Sequence, residues 1–248
     1  MDIPDYIEAL RREGVLLAEA ATRADLDAPV PTCPDWRVRD LVSHVGYVHR
    51  WATAYVAEAR TEMMGDDERA VLRSGPDDDA LIEWYREIHA GLVRALEDAP
   101  TDLACWTFFG APSPLAFWAR RQMHEAGIHR VDAERSGGSL TGFPATIAAD
   151  GIDELLVGFA RRSRRLRRDP ARSLAVHPED SDDRWFVRLA PEAVEVSRAD
   201  AGADCTVRGP ASDLYLLLWN RRGPDGLDID GDETMLSLWP EKMRVRWS

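Results

Sequence analysis

Cysteine is scarce in this 248-residue chain: there are three, Cys33, Cys105 and Cys205. They are far apart, odd in number and form no CxxC pair, which excludes a disulfide framework and a cysteine-based zinc knuckle. Lysine is scarcer still, since Lys242 is the one lysine among 31 basic residues. Such arginine bias is a compositional association with high-GC bacterial genomes, not a structural signal. No apolar run approaches the roughly 18–20 residues that span a bilayer. The opening MDIPDYIEALRREG has neither the basic leader nor the apolar stretch of a signal peptide. A soluble, cytoplasmic protein with no membrane partner is expected.

Positive charge is also in deficit, with 31 basic against 44 acidic residues and a net charge of −13. A nucleic-acid binder needs a positive footprint, so nucleic acid is not an expected partner. The deficit is uneven: residues 1–140 hold 15 basic and 25 acidic groups (net −10), and 141–248 hold 16 and 19 (net −3). With 45% hydrophobic residues the chain can bury a real core, as one large domain or two modest ones.

The first 140 residues read as four amphipathic helices separated by turn signals, a helical bundle. Residues 4–22 place Ile7, Leu10, Val15 and Leu16 near helical spacing. PTCPDW (31–36) breaks the chain, and Asp35 is the expected N-cap of a helix carrying Val38, Leu41, Val45 and Val48. Gly75-Pro76-Asp77 opens a third helix, and Ser113-Pro114 a fourth that runs to about Arg135. A fifth helix is expected from Ala145 to Leu166. Beyond Pro170 short strand-like runs follow at 185–189, 194–196, 205–207 and 227–230, with helices at 213–219 and 233–239. This is a small α+β domain, and the break near 165–172 is the expected boundary. The six arginines within 161–168 read as a solvated helix end.

The fourth helix carries the chemistry. With Glu125 as origin and about 100° per residue, Trp118, Arg121, Gln122, Ile128, His129 and Asp132 fall within about 60° of it. Glu125 and His129 stand at i and i+4, the spacing at which two side chains converge on one ion. His44, three residues after Leu41 and four before Val48, lies on the inward stripe of the second helix and supplies a third ligand. Two histidines and one carboxylate leave a metal with open positions, the pattern of a catalytic site. Asp132 is placed to fix the His129 tautomer or, equally, to pair with an arginine of another helix. His124 and His49 leave these stripes and are expected at the surface, and His89 and His177 have no partner within local reach.

VPTCPDWRVRDLVSHVGYVHRWA (30–52) resembles the opening motif of the mycothiol-dependent maleylpyruvate isomerase family, and HEAGIHRVDAE (124–134) its second motif. VRGPASDLYLLLWNRR (207–222) and DIDGDETMLSLW (228–239) are similar to its tail, in the family's order. The resemblance implies a DinB-like four-helix bundle with a connecting helix over 1–168 and a sterol-carrier-like α+β domain over 169–248. It implies His44, Glu125 and His129 as ligands of a divalent metal. Zinc fits that set, which would also accept iron, nickel or manganese.

A coordinated thiol is deprotonated by a divalent cation. No cysteine lies in the ligand set, so the nucleophile comes from a cofactor, which the resemblance implies is mycothiol. The expected chemistry is cis–trans isomerisation, or S-transfer to a small electrophilic substrate. Arg121 and Gln122 on the metal face, and Arg221 or Arg222 after LLLW, are the candidates for clamping an anionic substrate. The family motif favours Arg221 as the catalytic arginine. A non-catalytic small-ligand carrier and a metal hydrolase that activates water are the alternatives, and the assembly is a monomer or homodimer.

Overall fold

The computed structural model describes residues 1–245. Contacts divide the chain into two compact units between Thr141 and Gly142. The first unit is built from four long helices, α1 (Ile3–Arg23), α2 (Val38–Ala57), α4 (Asp78–Asp98) and α5 (Pro114–Ser136), with a short α3 (Asp66–Leu72) between the second and third of them.

Local chemistry sets the helix ends. The Asp2 carboxylate accepts from the Asp5 N–H while Asp5 accepts from that of Asp2, a reciprocal cap at the start of α1. Helix α2 starts at Val38 with Arg37 as N-cap, two residues later than an Asp35 cap would give. The reason is Asp40, whose carboxylate reaches back 2.8 Å to the Arg37 N–H. Ser113 and Pro114 open α5 as expected, Ser113 Oγ accepting from the Ala116 N–H, and the helix ends at Ser136 before Gly137. Helix α3 gave no periodic signal because none of its residues is buried.

Helix α5 is the core of the unit. Every residue from Arg121 to Glu134 is buried, so its polar groups need internal partners. On the side facing α1, Arg130 Nε donates to Glu13 at 2.8 Å and Nη1 to Glu134 at 2.7 Å. Leu17 and Ala21 of α1, Leu41 and Val45 of α2, and Leu81 and Tyr85 of α4 pack together with Ala133. His124 and His49 are both fully buried, which corrects the expectation that they lie at the surface. A helix enclosed on all sides has no solvent face to which an off-stripe side chain can be assigned.

The second unit begins with α6 (Ala145–Asp153), which continues through a π-type turn at Glu154–Phe159 and two 3-10 turns to Leu166 rather than as one regular helix. Because α6 packs on α7 (Ala211–Leu218), the contact boundary falls before α6 and not near 168. Five strands follow: β1 (Arg172–Pro178), β2 (Trp185–Leu189), β3 (Val194–Ser197), β4 (Cys205–Gly209) and, after α7, β5 (Asp228–Gly231). Their order is β3-β2-β1-β4-β5. The β1–β4 pair is parallel, with Leu174 opposite Cys205, and the other pairs are antiparallel. β1 escaped the sequence pattern because only Leu174-Ala175-Val176 is continuously apolar, all three fully buried at the centre of the sheet. Helix α8 (Thr234–Lys242) closes the unit, its Trp239 indole donating to the Leu218 carbonyl. The architecture is a helical N-terminal region followed by a small α/β sheet domain. Among the described residues no helix is long and apolar enough to cross a membrane.

Candidate metal centre

His44 from α2 and Glu125 and His129 from α5 meet inside the first unit. One ligand atom from each lies within 4.8 Å of the others, a grouping that could hold a metal ion. Glu125 Oε1 is the focus, 3.3 Å from His44 Nε2 and 3.4 Å from His129 Nε2. These are the three residues that the helical phases of α2 and α5 selected.

The surrounding side chains fix the donor atoms. His129 Nδ1 lies 2.9 Å from Asp132 Oδ2. A carboxylate only accepts, so Nδ1 carries a hydrogen toward Asp132, and Nε2 on the Glu125 side is the nitrogen that a metal would take in exchange for its proton. Asp132 is fully buried and also accepts from the Thr32 hydroxyl, so the preceding turn helps to hold it. Arg121 Nη2 donates to Glu125 Oε2 at 2.9 Å. One carboxylate oxygen is thereby occupied and the other left for the centre. Arg121 is itself only 2% exposed, so it serves as a buried support of Glu125 and not as a substrate clamp. Gln122, one turn before Glu125, is 1% exposed.

Trp36, with Trp51 and Trp118 one of the tryptophans nearest the candidate ligands in sequence, is brought onto two of them. Its ring packs 4.8 Å from that of His44 and 5.9 Å from that of His129. It stands between PTCPD and α2, where no periodicity reports a neighbour. Its place in the turn before a ligand-bearing helix was the available signal. Cys33, in the same turn, Cys105 and Cys205 are free thiols and none belongs to the ligand group.

Electrostatics follow from this packing. Burial opposes the Glu125 carboxylate, but the bonds from His129 and His44 and the Arg121 charge outweigh it. The carboxyl is held well below its usual range. Burial likewise opposes protonation of His129, yet its bonds to Asp132 and Glu125 prevail and raise its pKa. Two imidazoles around one ionised carboxylate are therefore arranged to bind positive charge, and a divalent cation competes there with protons. The donor set, the locked His129 tautomer and the single available Glu125 oxygen all fit such an ion.

In the second unit, Asn220, just after the Trp219 cap of α7, has a positive φ of 60°. Arg221 follows it, partly buried, with Nη1 donating 2.9 Å to the Trp219 carbonyl. Arg222 instead pairs with Asp213. His177 lies on β1, 3.7 Å from Asp200.

Comparison with known proteins agrees with this architecture. Residues 7–134 match the model of the mycothiol maleylpyruvate isomerase N-terminal domain, and residues 146–238 that of the MDMPI C-terminal domain. No curated protein sequence matches the chain. Among solved structures, a mycothiol-dependent maleylpyruvate isomerase is similar with a TM-score of 0.66 and 16% identity over 93% of each chain. A variant of that isomerase with one histidine replaced by alanine gives 0.68 and 17% over the same shares. These likenesses extend to the fold of both units. The chain belongs to the mycothiol maleylpyruvate isomerase family.

Proposed function

We propose that this protein is a metal-dependent enzyme that uses a low-molecular-weight thiol, mycothiol on the family's evidence, as nucleophile toward a small electrophile. The observation that carries the reading is the buried His44–Glu125–His129 group, with Asp132 and Arg121 fixing its donor atoms. Zinc suits the set, and His44, Glu125 and His129 are its proposed ligands. A divalent ion bound there supplies Lewis acidity that lowers the pKa of a coordinated thiol, giving the thiolate at neutral pH.

The chain's own residues do the rest. Asp132 keeps the His129 proton on Nδ1, so Nε2 stays available. Arg121 holds Glu125 in its ionised form and fixes its orientation. Trp36 covers the two imidazoles with an apolar ring, which lowers the local dielectric and strengthens charge interactions within the site. Arg221 is the proposed catalytic arginine, its planar fork suited to orienting the carboxylate of an anionic substrate. Addition of the thiolate to a conjugated double bond makes that bond single and allows rotation. Departure of the thiolate completes an isomerisation, and protonation of the neighbouring carbanion by solvent, which retains the adduct, is S-transfer.

The test is thiol dependence across maleylpyruvate-like and other small electrophiles. Turnover that requires mycothiol is expected, with Arg221→Met slowing it at unchanged metal content. Turnover without any thiol contradicts the reading and points to water as the activated nucleophile.

A further inference from the structure

The second unit carries the densest run of one charge in the chain: six of the eight residues from Arg161 to Arg168 are arginines. A solvated helix end, the sequence expectation, explains only part of it. The π-type turn stops at Phe159, and Arg161 and Arg162 lie in a 3-10 turn. Extended backbone at Ser163 separates them from a second such turn at Arg164–Leu166. Arg162 Nη1 turns back 2.8 Å onto the Gly158 carbonyl, and Arg168 Nη1 2.8 Å onto that of Arg167. The side chains of Arg161, Arg164, Arg165 and Arg167 are exposed and make no hydrogen bond or ion pair among the described residues. Asp169, the one carboxylate within 160–172, pairs with none of them. Yet the run is held in place, because Leu166 is buried and α8 packs on the same turn. Like charges fixed side by side repel one another unless an anion meets them. Two large apolar side chains on these elements, Val157 in the π-type turn and Leu238 on α8, are each 36% exposed.

The first unit offers the opposite surface. None of the α3 residues is buried, so this helix has a face that its own unit does not cover. Met63, just before it, and Val71 within it are each 68% exposed. Glu62 and Asp67 in the same stretch, and Asp77 and Asp79 at the start of α4, are exposed. Their carboxylates make no hydrogen bond or ion pair among the described residues. The neighbouring arginines are already engaged: Arg60 with Glu58 and Glu68, Arg69 with Asp66, Arg39 with Asp78, and Arg73 over the Tyr47 ring. Arg50 donates to the Leu72 and Ser74 carbonyls, so the segment joining α3 to α4 is fastened to α2.

We propose that the chain self-associates, the arginine run of one copy docking on the α3 surface and α4 start of another. Guanidinium groups without a counter-charge there meet carboxylates without one, and the arginine fork suits a carboxylate bidentately. Val157 and Leu238 on one side and Met63 and Val71 on the other are covered in the same contact. A phosphate polyanion would satisfy the arginines but leave those apolar side chains in water. The net charge of −13 also opposes a second copy, so the contact is weak and shows at high protein concentration. Reciprocal exchange between two copies gives a dimer, and exchange that does not close gives a longer chain. The metal centre takes no part, so the outcome leaves the thiol reading untouched.

The experiment is sedimentation equilibrium of the full chain from about 10 to about 300 µM, which reads mass against concentration. Association is expected, with a Kd that rises at least about tenfold between about 0.05 M and about 0.5 M NaCl as salt screens exposed charges. Arg164→Glu/Arg165→Glu and Asp67→Arg/Asp79→Arg change exposed positions, and circular dichroism verifies their folding. Each variant alone should be monomeric at low salt, and their equimolar mixture should regain the wild-type mass. If a reversal fails to fold, Arg161→Gln/Arg167→Gln or Glu62→Gln/Asp77→Asn takes its place, with partial loss expected. A wild-type chain that is monomeric throughout overturns the proposal, whether or not it then binds a labelled oligonucleotide or phosphatidylserine vesicles. Association that salt does not weaken overturns it too. So does loss of association in one variant only, or a mixture that stays monomeric, because the two surfaces would then not be partners.

Discussion

Asp132 is the residue whose removal tests the internal logic of the metal centre without touching a ligand. It is fully buried, 2.9 Å from His129 Nδ1, and its other oxygen accepts from Thr32. Replacing it with alanine leaves the His129 N–H buried without its acceptor and frees the ring to turn or change tautomer. Loss of such an outer partner typically costs 10–100-fold in metal affinity, which corresponds to about 1.4–2.7 kcal/mol. Asp132→Asn should lie between wild type and alanine, since the amide oxygen can still accept but brings no charge. The assay is competitive titration of zinc against a chromophoric chelator at fixed pH, with circular dichroism to verify folding. An Asp132→Ala protein that is folded and binds zinc as tightly as wild type would refute the claim that Asp132 sets the His129 donor atom.

Proton competition gives a second prediction. His129 titrates above 6.5 in the metal-free chain, so zinc affinity should fall steeply as pH drops through that range, and each binding event should release a proton. For stability of the metal-free protein the signs are opposite for the two partners. The contribution of His129 is full below pH 6.5 and is lost as pH rises through its folded pKa. That of Glu125 is full above pH 4.5 and is lost as pH falls toward its depressed folded value. Thermal melts with and without zinc across pH 4–9 check both. A zinc-induced stabilisation that does not grow with pH contradicts the assignment. A third prediction concerns Arg130, which is fully buried between Glu13 and Glu134. Arg130→Met leaves buried Glu134 without its cation and Glu13 with Arg12 as its remaining one, and should cost about 3–5 kcal/mol in urea unfolding, whereas a loss under about 1 kcal/mol would show that the network is dispensable.

The parts of the molecule that could be read from the sequence are those with a period or a cap. The i, i+4 pair Glu125/His129 and the stripe Leu41/His44/Val48 converge in the structure because a helical phase survives burial. Ser113-Pro114 and the short apolar runs of β2 to β4 were legible for similar reasons. Phase failed where α5 is enclosed on every side, so His124 and Arg130 are as buried as Glu125, and where His49 faces His89 on another helix. It also failed for α3, which buries nothing, and for the helix after Ala145, whose π-type turn has no compositional mark. Trp36 and the Arg121–Glu125 bond depend on tertiary approach, and no local spacing encodes that.

The central claim is that His44, Glu125 and His129 hold one metal ion. Metal analysis of the purified wild-type chain and of His44→Ala, Glu125→Ala and His129→Ala tests it most directly. Near-stoichiometric metal in the wild type, and its loss in each folded variant, is the predicted result. Stoichiometric metal surviving in all three variants would contradict the account.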